Sequence, residues 1–115
     1  MKDILIFVYG TLKKGYRNPF YLADALYAGE ATLNDYEMFD LGTYPGIRIR
    51  QGSIVEGELY FIDTEMKKHI DALEEEGTLY RCVKVEVLKK HQKVDAYVYE
   101  YLLPFDGEVL ARTSW

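Results

Sequence analysis

The sequence predicts an α+β fold, a mostly antiparallel, barrel-like sheet with two packed helices in a single domain over residues 1–115. Three observations lead there. Ile4-Leu5-Ile6-Phe7-Val8-Tyr9 is apolar at every position, as in a strand buried on both faces. Several later segments are strand-like and joined by short connections, which implies antiparallel pairing. An amphipathic helical stretch interrupts them near residues 65–76. Five or more twisted, two-sided strands would curl into a barrel-like sheet.

Taken in order, the first strand stops at Gly10-Thr11. Residues 19–27 read as a short helix, with Pro19 suited to its first turn and Asn18 as a cap. Ala28 to Phe39 reads as one or two strands with a turn near Asn34-Asp35. Leu41 to Gly46 is a loop by its Gly and Pro content. Ile47-Arg48-Ile49-Arg50 alternates as a half-buried strand, and Gln51-Gly52-Ser53 turns the chain. Ile54 to Ile62 is a second long strand, and Gly57 inside it suggests a bulge or a close backbone approach. Asp63 or Thr64 caps the clearest helix, from about Glu65 to Glu76, with Gly77 as its stop. Tyr80 to Leu88 alternates, with Val83, Val85 and Val87 on one face, and pairs with Val94 to Leu102 through Lys89 to Lys93. The tail from Pro104 to Trp115 shows no clear pattern.

A formal net charge of −5 and the lack of any Lys/Arg cluster with interleaved aromatics argue against nucleic-acid binding. One cysteine, Cys82, excludes an intrachain disulfide, and two scattered histidines give a metal site little support. The N-terminus lacks a signal-peptide layout, and no apolar run approaches the roughly 20 residues that span a membrane. A soluble cytoplasmic protein is the simplest expectation.

Three features offer chemistry. At Tyr9-Gly10-Thr11-Leu12 a buried strand runs into a glycine turn, which leaves backbone N–H groups at the sheet end free to bind a carboxylate or oxyanion. A bland turn gives the same local pattern. The second feature is the acidic run Glu74-Glu75-Glu76. Met66, Ile70 and Leu73 form an apolar helix stripe; Glu75 falls nearly opposite it, and Glu74 and Glu76 fall on its two borders. A border carboxylate partly withdrawn from water is a better base near neutrality. The third is a set of tyrosines, Tyr44, Tyr60, Tyr80, Tyr97, Tyr99 and Tyr101, mostly sheet residues, of which one or two could line a polar pocket. Cys82 reads as a packed thiol.

Val8-Tyr9-Gly10-Thr11-Leu12-Lys13-Lys14-Gly15 followed by Asn18 resembles the opening of the γ-glutamylcyclotransferase-like family, in particular its γ-glutamylamine cyclotransferase and AIG2-like branch. Tyr44-Pro45-Gly46, Val55-x-Gly57-Glu58-Leu59-Tyr60, and Asp71-x-Leu73-Glu74 followed by Tyr80 come in the family's order and spacing. The resemblance implies a cavity where the glycine loop meets a catalytic glutamate, here Glu74, six residues before Tyr80. It implies substrate contacts from Tyr9, Gly10, Thr11, Leu12, Tyr44 and Tyr80. The implied reaction is cyclisation of an L-γ-glutamyl amine or amide to 5-oxoproline, with no metal or organic cofactor. The partner is then a small-molecule γ-glutamyl substrate, and the protein a monomer or weak homodimer.

Two departures from the family pattern stand out. Glu75 and Glu76 occupy positions where relatives usually carry glycine and another residue, and Cys82 stands where they often have arginine. A non-catalytic module that binds a γ-glutamyl or amino-acid-like ligand is the alternative these departures leave open.

Overall fold

A computed structural model describes residues 1–10, 22, 24–41 and 45–103. It comprises β1 (Ile4–Val8), β2 (Leu26–Asp40), β3 (Pro45–Ile62), α1 (Thr64–Leu73), β4 (Tyr80–Lys89) and β5 (Gln92–Tyr101). The strands close into a barrel in the order β1-β3-β2-β4-β5. All pairings are antiparallel except the closing one, where β1 runs parallel to β5 with Ile6 opposite Tyr97.

The all-apolar run of β1 has the explanation its sequence suggests, because both of its faces are buried. Phe7 and Tyr9 join a core contributed by all five strands, which fills the barrel interior with Leu33, Met38, Ile47, Val55, Leu59 and Val98 among others. Ile6 and Val8 point the other way, into a second core under α1 with Tyr60, Ile62, Ile70, Tyr80 and Tyr99. Met66 and Leu73 complete the helix stripe against this outer core. Ile70 is fully buried, and its truncation to alanine would cost roughly 2–5 kcal/mol.

Gly57 is a point of close approach. A side chain there would meet the carbonyl oxygen of Val8 and the ring of Phe7, which explains a glycine inside a long strand.

The turn signals at Asn34-Asp35 and Gln51-Gly52-Ser53 do not break the chain into four strands. They lie side by side on two long ones, where the register slips between Asn34↔Ile54 and Tyr36↔Ile49. Asp35 (φ 64°) and Gly52 (φ 89°) take the left-handed backbone a bulge needs, and the Gly52 N–H donates to Asp35 Oδ1 at 3.0 Å. Turn chemistry on adjacent paired strands makes a shared bend, since the ladder resumes on both sides of it.

The hairpin between β4 and β5 turns on Lys90-His91, both at positive φ (48° and 69°). That is the two-residue turn whose twist matches the strands, and it is tighter than the five-residue connection read from the sequence. One helix is present among the described residues. Residues 19–21 and 23 of the second predicted helix, over 19–27, lie outside them; of the rest, the Ala25 N–H donates to the Leu22 carbonyl at 3.0 Å, and Leu26 and Tyr27 begin β2. The tail from residue 104 also lies outside. Among the described residues no helix is long and apolar enough to cross a membrane.

Candidate active site

Helix α1 starts where Asp63 accepts the Met66 N–H at 2.8 Å, a side-chain N-cap. It ends three residues earlier than the predicted Glu76. Leu73 is its last residue and Glu74 its C-cap. Glu75 then takes φ 50°, its N–H donates to the Ala72 carbonyl (3.2 Å), and the Glu76 N–H donates to the Asp71 carbonyl (2.9 Å). This is the reversal that usually has glycine at the left-handed position, here occupied by glutamate. The stop is therefore Glu75 and not Gly77. Gly77 (φ 91°) serves the next turn, where its N–H donates to the Tyr80 carbonyl at 2.7 Å.

The reversal separates the three acids. Glu75 and Glu76 are exposed, and Glu76 Oε2 accepts the Cys82 N–H at 3.3 Å. Glu74 turns inward and is half-buried; its backbone N–H donates to the Ile70 carbonyl at 2.9 Å, while its carboxylate makes no hydrogen bond or ion pair to any described residue. Burial with nothing to compensate it pushes its carboxyl up to about 7. The negative end of the helix dipole acts in the same direction.

Tyr9 faces this carboxylate. Its ring is buried, and its hydroxyl donates to the Tyr99 carbonyl at 2.6 Å. Burial, reinforced by Tyr80, Glu74 and Glu100 close by, holds the phenol protonated far above its usual range. Tyr80, at the start of β4, is also buried, and its hydroxyl donates to the Pro45 carbonyl at 2.7 Å. Gly10 packs on the Pro45 ring so closely that a Cβ there would sit 2.9 Å from Pro45 Cγ. The end of β1, the start of β3, the start of β4 and the segment after α1 therefore meet at one place.

Of the residues singled out from sequence, Tyr9, Gly10, Glu74 and Tyr80 come together here. Thr11, Leu12 and Tyr44 lie outside the described residues. Tyr60 donates to Glu58 at 3.2 Å, and the Tyr101 ring packs edge-on against Tyr80 and Phe39. His69 and His91 are exposed, and Cys82 is a half-buried thiol that packs on the outer core and that burial pushes upward. Among the described residues no group of His, Cys, Asp or Glu side chains could hold a metal ion.

Glu100 is a buried acid that sequence reasoning missed. It accepts the Tyr36 hydroxyl and the Arg81 guanidinium, each at 2.8 Å, and lies close to Tyr9. Local sequence carries no signal for it, since Glu100 sits in an alternating strand like any exposed acid. Its partners come from β2 and β4.

The profile of the gamma-glutamyl cyclotransferase, AIG2-like family matches residues 6–115. The chain belongs to this family. A γ-glutamylcyclotransferase family protein of Citrobacter rodentium is 34% identical over 109 residues, which cover 95% of this chain and 91% of that protein. Human gamma-glutamylaminecyclotransferase is 33% identical over 101 residues, covering 74% of this chain and 63% of the human protein. The crystal structure of an AIG2-like protein from Mus musculus, 24% identical, shares the fold at a TM-score of 0.88, covering 97% of this chain and 87% of that one. The family and its named members are γ-glutamylcyclotransferase-like enzymes, and this chain is one of that kind.

Proposed function

We propose that this protein cyclises an L-γ-glutamyl amine or amide, releasing 5-oxoproline and a free amine, with Glu74 as the acid–base group. The observation that carries the reading is the half-buried Glu74 carboxyl, free of any partner among the described residues and close to neutrality in its ionisation. A structural carboxylate is normally paired. One that is desolvated and unpaired is poised for proton transfer.

The substrate's own α-amine is the nucleophile and attacks its γ-carbonyl carbon to close a five-membered ring. At neutral pH that amine is an ammonium, so ionised Glu74 first takes a proton from nitrogen. The new C–N bond makes a tetrahedral oxyanion; backbone N–H groups of Gly10, Thr11 and Leu12 would hold either it or the substrate α-carboxylate. Collapse breaks the bond to the leaving nitrogen, which takes its proton from Glu74; the regenerated carboxylate then accepts the second proton of the ring nitrogen, and the amine departs as its ammonium. Folding the substrate into its cyclising shape makes the attack unimolecular. Tyr9 stays protonated, and Tyr9 and Tyr80 form the wall beside Glu74. No metal or organic cofactor is needed for this chemistry.

The test is 5-oxoproline release across a panel of γ-glutamyl amides and amines, with Glu74→Gln as the paired variant. Turnover of at least one member, lost in the folded variant, is the expected result. Wild-type-like release from Glu74→Gln would overturn the assignment, and tight binding without turnover would favour the ligand-binding module instead.

A further inference from the structure

Glu74 stands just beyond the end of α1, so its place over the barrel is set by whatever holds that helix end. Apolar burial of Ile70, Met66 and Leu73 holds the helix on the sheet. A polar tether joins the helix to β5 beside it. Asp71, three residues before Glu74 and thus on nearly the same helix face, accepts a hydrogen bond from the Tyr99 hydroxyl on β5. Lys67, one turn earlier, donates to both Asp71 oxygens, at 3.0 and 3.1 Å, and its ammonium lies over the Tyr97 and Tyr99 rings. Tyr99 also works from its other end, where its backbone carbonyl accepts the Tyr9 hydroxyl. One residue therefore reaches both halves of the candidate site, the helix end that carries Glu74 and the strand end that carries Tyr9 and Gly10.

We infer that Tyr99 and Asp71 are a positioning pair that sets the separation between Glu74 and the Tyr9-Gly10 strand end. This rests on Glu74 being the acid–base group, and its decisive test does not require turnover. Around the pair stand Lys67 on α1, Cys82 on β4, Tyr97 on β5 and Glu74 itself. Glu74 is faced by Tyr9 from β1 and Tyr99 from β5, with Tyr80 and Glu100 grouped around the same Tyr9. Burial raises Glu74, so a helix end released from its tether lets water reach the carboxyl and its titration midpoint falls. Tyr99→Phe removes only the hydroxyl and leaves every charge in place, so any shift it causes comes from geometry.

The experiment follows the Glu74 side-chain carboxyl by carbon NMR through a pH titration of wild type and Tyr99→Phe, with thermal melts alongside. The midpoint should drop by roughly one unit or more in the variant. Where 5-oxoproline release is seen, kcat should fall about 10- to 100-fold with KM changed less, as for a misplaced catalytic group. An unmoved midpoint in a folded Tyr99→Phe protein overturns the inference, whether or not the wild type turns over. If Tyr99→Phe does not fold, Asp71→Ala and Asp71→Asn are compared. Both lose the charge, but only asparagine still accepts from Tyr99. A lower midpoint in the alanine variant supports the tether, and equal midpoints overturn it. If the wild type releases no 5-oxoproline while the midpoint still falls, the tether stands and the functional reading fails.

Discussion

The two cores of this molecule differ in what they contain. The barrel interior is almost wholly aliphatic and phenyl, drawn from all five strands, and its buried Tyr9 and Tyr36 both direct their hydroxyls to a partner. The outer core under α1 is smaller and includes Tyr60, Tyr80 and Tyr99, with Asp71, Lys67 and Glu74 at its margin. An apolar interior gains stability from every methylene it removes from water. The outer layer gives up some of that gain to hold an unpaired carboxylate and several hydroxyls in fixed places. The two cores lie on the two faces of β1, whose alternate residues Phe7 and Ile6 enter one core each, and Tyr9 carries the interior up to the candidate site.

The sharpest way to test this division is Glu74→Gln. Its turnover should fall by about 10²–10⁴-fold, the usual worth of a positioned acid–base group, in a 5-oxoproline release assay. The same loss with Leu59→Ala would break the comparison. Leu59 belongs to the interior and is 1% exposed, so its truncation should destabilise by roughly 2–5 kcal/mol in urea unfolding. Activity per folded molecule should stay near wild type.

Next in size is the stability effect of Glu74 itself. Its folded carboxyl is raised to about 7, above the unfolded value near 4.5, so the folded state favours the protonated form. The contribution is therefore fully present below about pH 4.5 and is lost as pH rises through about 7. At pH 8, Glu74→Gln should be more stable than wild type by roughly 1–3 kcal/mol, a gain that vanishes at pH 4. Denaturant midpoints at the two pH values check it. Activity has the opposite dependence. The base must be ionised, so kcat/KM should rise from acid pH with an inflection near pH 7.

The smallest effect is expected at the helix stop. Glu75 holds φ 50°, a conformation glycine adopts freely, and its side chain is exposed. Glu75→Gly should stabilise by roughly 1 kcal/mol in thermal unfolding and leave turnover unchanged. A large loss of activity there would show that the reversal itself takes part in the chemistry.

Several elements were legible from residues alone. The doubly buried β1, the Met66-Ile70-Leu73 stripe, the β4–β5 hairpin with its valine face and the close approach at Gly57 all have the form their patterns predict. The departures from the sequence reading have separate causes. Asn34-Asp35 and Gln51-Gly52-Ser53 carry turn chemistry, but whether such residues end a strand or bend it depends on the partner strand beside them. The helix end was misplaced because periodicity runs on through Glu76, and only the backbone reversal at Glu75 interrupts it.

The candidate site divides the same way. Sequence by itself determined the order of the motifs and hence the family, the glycine after β1, and that Glu75 points away from the helix stripe; it left Glu74 and Glu76 on the two borders, and only the family resemblance singled out Glu74. Sequence reaches this far because periodicity and spacing are properties of neighbours along the chain. The tertiary structure alone decided that Glu74 is desolvated without a partner, that β5 closes the barrel beside β1, and that Tyr99 links Asp71 to Tyr9. Desolvation and hydrogen bonding depend on what packs across the gap. The residues that meet here, Tyr9, Pro45, Glu74, Tyr80 and Tyr99, belong to different elements that only the folded barrel brings together.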